Sequence, residues 1–380
     1  MKESISSRQL GVLCAVSIFA NKILLLPSLL YENAKSDGLF VVGLLFLVDL
    51  LILFSFFHLK KKFPVQSFKE ILIYFFGKIV TKVIFLAFAV FFMFKVFLIY
   101  STSFIYLKQQ VYQGEFAILA IICVLPVINH AALTGLRSMA RTIEMFFYIV
   151  AFGFVLCLAI STLTYKSSPL FFTSSLGDFA STAFRHIFSF GDYLFLFLII
   201  DKVTLTQKDK KRVLKYVFFA IFLVLILFFL FYSLYQITAF MHNNALSDIL
   251  IFSVVFNAVG RIDIIAMLTI MFLAIFQMEL FHYCFCNAFV NFLPKLNKIF
   301  AIVTFDIFFF IVYLMLIGKY ENMVIQVEVW LPYLTIVLNF LLPLLLGLFS
   351  FKKKSVKNHH IIPNDEEKRE EKGMSEEVKI

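Results

Sequence analysis

Charged side chains are scarce in this chain. Only 15% of its 380 residues are Asp, Glu, Lys or Arg, against 62% that are hydrophobic. A soluble domain is about 45–50% apolar even with glycine counted, so composition excludes a water-soluble enzyme, a disordered polymer and a secreted disulfide scaffold. Cysteines are few. The five, Cys14, Cys123, Cys157, Cys284 and Cys286, all lie in or beside apolar segments. Cys284 and Cys286 are two apart and point to different sides of a helix. They read as reduced packing residues, with neither a disulfide framework nor a metal site. The chain also lacks a G-x-x-x-x-G-K-S/T phosphate loop, a G-x-S-x-G elbow and a clustered Cys/His set. Covalent chemistry and ATP hydrolysis therefore have no residues to work with, no cofactor or metal is expected, and the chain does not read as an enzyme.

Long apolar runs fill the space that charge leaves. A membrane-crossing helix takes about 20 apolar residues. Reading between charges gives ten candidate spans, near 8–32, 36–58, 80–107, 116–130, 141–164, 179–203, 213–240, 262–290, 296–317 and 327–350. The fourth is short, and 245–260 is apolar enough for a partial or re-entrant helix before the eighth. Phenylalanine, at 53 residues, serves as generic lipid-facing bulk. The expected fold class is thus an all-α polytopic membrane protein, with residues 1–350 as one ten-helix membrane domain and 351–380 as a disordered cytoplasmic tail. The first run has no small-residue cleavage site after a short apolar core, so it is expected to be a span and not a removable signal.

The net charge of +10 reads as topology and not as nucleic-acid binding. Lys60, Lys61, Lys62, Lys208, Lys210, Lys211, Arg212 and Lys352 to Lys354 all fall in alternate loops that would share one side. The positive-inside rule makes that side cytoplasmic and places both chain ends there. Membrane lipid is then an expected partner, with the FKKK run at 351–354 against the inner leaflet. Segment 67–77, SFKEILIYFFG, is short and apolar after a Lys run, and is expected along the cytoplasmic interface.

Two spans are interrupted at matching places. Span one carries Ala20, Asn21 and Lys22 near mid-depth, followed by Pro27; span six carries Ser189, Phe190, Gly191 and Asp192 near its middle. An unwound turn frees N–H and C=O groups in a medium without water, tolerable only if protein, water or a ligand satisfies them. Half-helix ends attract ions of opposite sign. Breaks in the first helix of each five-helix half point to an inverted repeat with a midplane ligand site; the alternative is two kinked helices with polar residues packed inside. Ionisable residues within spans are costly and are functional candidates. Lys22 could hold a ligand carboxylate, stand where a cation would, pair with an acid, or snorkel. Lys95 in span three serves either ligand or an internal pair. Asp192 could pair with Lys22 or Lys95, or hold a substrate ammonium. Glu279 and His282 are three apart on span eight and share a face, which suits a proton or counter-ion role. Asp49 and Asp306 lie outside the expected site helices and read as structural or counter-ion residues. Arg261 and Asp263 read as anchors of the outer end of span eight.

The opening ISSRQLGVL, the ILLLPS of span one, LKKKFP after span two, GLRSMARTIEMFF at 135–147 and GRIDIIAML at 260–268 resemble the spore germination permease family. This is the B subunit of germinant receptors, a branch of the amino acid–polyamine–organocation transporter superfamily. The resemblance runs over residues 4–350. It implies ten helices in a 5+5 inverted repeat with helices one and six broken, and a small-molecule germinant, often an amino acid. It also implies the inner membrane of the spore and work beside A-type and C-type subunits. The chain departs from the family pattern at the first break, where small residues such as Gly and Ser are usual and this chain has Ala20, Asn21 and Lys22. A receptor subunit that senses a germinant is the leading expectation. A secondary transporter of an amino acid or similar solute, coupled to H⁺ or Na⁺, is the alternative.

Overall fold

A computed structural model describes residues 4–110, 116–163, 174–251, 263–316 and 331–352. The first half comprises α1 (Ser7–Ile23), α2 (Leu26–Ala34), α3 (Gly38–Lys62), α4 (Phe68–Gln110), α5 (Phe116–Thr134) and α6 (Leu136–Leu163). The second half begins with α7 (Leu176–His186) and the short α8 (Phe195–Leu198), then α9 (Gln207–Tyr235), α10 (Ala245–Ile251), α11 (Asp263–Phe292) and α12 (Lys298–Leu316). Residues 331–336 are helical, a π turn follows at Val337–Leu341, and α13 (Leu342–Lys352) completes that helix. Among the described residues the only extended pairing is one isolated bridge between Ile5 and Val203.

Six of the described stretches are long and apolar enough to cross a membrane; Ser7–Ala20 and Cys123–Thr134 are apolar but shorter. Their outward faces are apolar too. Leu44, Leu47 and Leu51 on α3, Phe218, Phe222 and Phe229 on α9, and Ile307, Phe310 and Ile311 on α12 are all exposed. Side chains recurring at i, i+3, i+4 and i+7 form a stripe along one helix face, and such stripes require hydrocarbon around them. The protein is an all-α polytopic membrane protein.

The helices pack around α11, which runs against α4, α1, α6 and α5, while α1 also lies along α9. Segment 67–77 differs in part from expectation. It is the first stretch of α4, kinked from the rest at Gly77, whose φ is +78°. Its Phe68 stacks on Phe197 with ring centroids 5.4 Å apart, so one face of it is built into the core. Of the 245–260 stretch, α10 covers the first part, and the remainder lies outside the described residues, as do Arg261 and nearly all of the 351–380 tail. Asp263 begins α11.

Hydrogen bonds tie the loops into two opposite ends. At one end Ile5 N donates to Lys202 O at 3.0 Å, and Lys60 Nζ donates to the carbonyls of Pro64 and Ile200, both at 2.7 Å. At the other, Ser174 N donates to Asp37 Oδ2 at 2.7 Å and Asn244 Nδ2 to Gln109 Oε1 at 3.1 Å. The Lys-rich loops sit at the first end, the end for which the positive-inside rule sets the expectation of a cytoplasmic location. Impermeant maleimide on intact cells, in a Cys123→Ser background, tests this. Asn33→Cys and Thr238→Cys are expected to label, and Ser4→Cys and Thr204→Cys only after permeabilisation; the reverse pattern would invert the orientation.

Candidate functional site

The first break is displaced from its expected position. Ala20, Asn21 and Lys22 are helical and form the last turn of α1; the chain leaves the helix at Leu24, with φ −98° and ψ −106°. A lysine in a last turn faces the negative end of the helix dipole, so Lys22 closes α1 instead of interrupting it. Pro27 sits in the first turn of α2, where its missing N–H costs nothing. A residue not singled out in the sequence supports this turn: Ala20 N donates to Gln277 Oε1 at 3.0 Å, and Gln277 Nε2 donates to Ser17 O at 2.5 Å. The side chain of Asn21 lies outside the described residues.

The second break falls where the sequence places it. α7 ends at His186, and a 3-10 turn spans Ile187–Ser189. Phe190 is extended, Gly191 is left-handed at φ +81°, and another 3-10 turn spans Asp192–Leu194. Glycine is required at 191 for two reasons. The left-handed region costs other residues roughly 1–2 kcal/mol, and a Cβ here would lie 2.3 Å from Asn339 Nδ2.

The two breaks and α4 meet in one charge cluster. Asp192 receives Lys22 Nζ on Oδ2 in a short ion pair and Lys95 Nζ on Oδ1 at 2.8 Å. Lys95 Nζ also donates to the freed carbonyl of Phe190 at 2.8 Å. Asp49, on α3, accepts from Gly191 N through Oδ1 at 2.6 Å. Lys22, Asp49, Lys95 and Asp192 are all 0% exposed. The cluster holds two formal positive and two formal negative charges, the balance that a low-dielectric interior demands. Aromatic faces complete the solvation of the ammoniums: Lys22 Nζ lies 4.5 Å from the Phe190 ring centre and Lys95 Nζ 5.1 Å from that of Phe188.

Several polar atoms around this cluster make no hydrogen bond to the described residues. They are Asp49 Oδ2, the Tyr193 hydroxyl and both side-chain polar atoms of Asn339. All three residues are buried. Asn339 lies in the π turn, a distortion that recurs at functional sites. Buried polar atoms ordinarily have partners, so this set is suited to a small polar ligand or water beside Gly191.

The remaining candidates lie elsewhere. Ser189 is buried at the second break. His282 is enclosed between α5 and α12, with Nδ1 3.3 Å from Ile128 O and its ring 4.4 Å from that of Phe305. Glu279 points into a separate cleft of about 380 Å³ lined by His130, Thr134, Ser138 and Thr142. Glu279 and His282 share a helix but make no hydrogen bond with each other. Asp306 accepts from Asn129 at 2.9 Å, away from the breaks. Asp49, by contrast, stands at the second break, though its span was expected outside the site.

Gly191→Ala is expected to destabilise the purified protein in detergent, lowering its thermal midpoint. In an Asn339→Gly background the same substitution should cost less, because the closest clash is gone and only the backbone cost remains. Equal cost in both backgrounds would show that Asn339 does not press on Gly191.

The chain matches the family model described as spore germination protein, the spore permeases, over residues 4–322. No curated protein matches it. The matched stretch takes in both helix breaks together with Lys22, Asp49, Lys95, Asp192, Gln277 and Glu279, and leaves out Asn339. Most of the fold and all four residues of the central charge cluster therefore fall within a region characteristic of one family, and the chain belongs to the spore germination protein family of permeases.

Proposed function

We propose that this protein is the membrane subunit of a spore germinant receptor, and that it binds a small germinant, an amino acid or similar molecule, between its two broken helices. The observation that carries this reading is Asp192, held by Lys22 from the first break and by Lys95 from α4. The proposed arrangement is a 5+5 inverted repeat of ten helices with these breaks at its centre. A zwitterion offers the same two charges as the cluster. Its ammonium can take the place of one lysine at Asp192, and its carboxylate can receive the lysine so released. The Asn339 amide and Tyr193 hydroxyl supply neutral contacts. Exchange of this kind leaves no buried charge unpaired, which matters because an uncompensated buried charge costs about 3–5 kcal/mol.

Such an exchange unlinks α1 from the second break. A ligand moves a conformational equilibrium only by its differential affinity for the two states, and the Lys22–Asp192 link is a contact that the two states would not share. A-type and C-type subunits would read the change, in the inner membrane of the spore. No reaction is catalysed in this account.

A secondary transporter coupled to H⁺ is the second reading. The cleft that leads to Glu279 favours it: a buried carboxyl reached through hydroxyl-bearing side chains is suited to exchanging protons apart from the central cluster.

Germination and radiolabelled uptake, measured on spores carrying Lys22→Ala or Asp192→Ala, separate the readings. With membrane levels verified by immunoblot, the receptor reading expects Lys22→Ala to change ligand preference or raise the effective concentration about tenfold or more (~1.4 kcal/mol), without uptake in any strain. Uptake that falls with both variants would instead establish transport. An unaltered ligand response in both would remove the central cluster as the site.

A further inference from the structure

A second cavity, of about 860 Å³, opens at the end of the molecule that holds Ile5 and Val203. It lies between α1, α6 and α9, remote from the charge cluster in the core. Arg8, Arg212 and Lys215 line it, and Tyr148, Tyr216 and Phe219 form its wall. We propose that this cavity is a binding site for the headgroup of an anionic phospholipid.

Three observations support the assignment. The first is charge. Three basic side chains face the cavity; Arg8 is balanced by an acid, and Arg212 and Lys215 supply the excess positive charge. Glu144 is ion-paired with Arg8, and Asp209, one turn before Arg212, accepts from Thr206 N at 2.9 Å as the N3 partner in the capping box of α9. Arg212 is anchored by Nη1 to Ser7 Oγ at 3.3 Å, which leaves its other donors for a ligand. A guanidinium beside an ammonium is the donor set that a phosphate diester seeks.

The second is level. On α1 no charge follows Arg8 until Lys22; on α6 none follows Glu144; on α9 none follows Lys215. All three helices pass from charged to apolar at the rim of this one cavity. That transition marks the boundary between headgroup and hydrocarbon, where tyrosines collect as well. Beyond the rim, Phe152 and Phe222 are exposed on α6 and α9 and offer an apolar track for the acyl chains.

The third is construction. Gly11 on α1 has no side chain, and a Cβ there would lie 2.5 Å from Tyr216 Cδ2. The Tyr216 ring therefore lies directly on α1, and its hydroxyl meets that of Tyr148 at 3.1 Å. The back wall is thus fixed by packing. Pockets of roughly 300–1,000 Å³ are usual for small ligands, and this one falls within that range.

The test uses the full-length protein in neutral detergent, with native mass spectrometry of retained lipid. Wild type is expected to retain phosphatidylglycerol in preference to phosphatidylcholine. Arg212→Gln/Lys215→Gln should lose that preference, at about fivefold per basic residue removed. Lys61→Gln/Lys62→Gln, outside the cavity, should keep it. Equal retention of the two lipids by wild type, which needs no variant to interpret, would overturn the proposal. So would unchanged retention in the Arg212/Lys215 variant, or equal loss in the Lys61/Lys62 variant. Inorganic phosphate that displaces phosphatidylglycerol at millimolar concentration would identify a soluble anion as the ligand instead, and would likewise overturn the lipid assignment.

Discussion

One carboxylate holds the centre of this protein together. Asp192 sits in an unwound turn and receives an ammonium on each oxygen, one from the end of α1 and one from the middle of α4. Each partner makes the others tolerable. Without Asp192, two buried lysines would stand in a medium that cannot hydrate them. Without the lysines, the free carbonyl of Phe190 and the carboxylate would do so. Asp49 completes the set by accepting the N–H of Gly191, which the left-handed turn exposes. The broken helix can therefore exist in the buried interior because charges from α1, α3 and α4 converge on it.

Stability alone does not account for such a cluster. A buried ion pair is often no better than well-packed apolar residues of the same volume, and removing one partner is strongly destabilising. A cluster of this kind resists partial disruption but can be replaced by a ligand of matching charges. This property connects the geometry to the proposed sensing of a zwitterionic germinant: ligand and protein offer interchangeable partners. The Glu279 cleft and the basic cavity at the rim of α1, α6 and α9 lie apart from that exchange, each with its own polar lining.

Much of this was legible in the sequence, and what was not has physical reasons. Lys22, Lys95 and Asp192 stand out because charge is rare in apolar runs, and the S-F-G-D stretch of the second break advertises itself by a glycine beside an acid. In the sequence the first break reads at 20–22, about two residues ahead of Leu24 where the chain leaves α1, because a lysine that closes a helix and a lysine that interrupts one look alike until the backbone is seen. Asp49 reads from sequence as lying away from the site, since its sequence neighbours are uniformly apolar and its partner is a backbone N–H 142 positions away. Gln277 and Asn339 carry no charge to draw notice, yet one braces α1 and the other presses on Gly191. Long-range pairing of neutral amides leaves no periodic trace, whereas spans and charges do.

The account rests on direct energetic coupling between Lys22 and Asp192. A double-mutant cycle joining Lys22→Met and Asp192→Asn, read as thermal unfolding of the purified protein, measures that coupling most directly. The account predicts that the double variant is less damaged than the two single variants together, with an interaction energy of about 1–3 kcal/mol. Strict additivity would contradict it, since it would mean that the two side chains do not hold each other and that the helix break stands for some other reason.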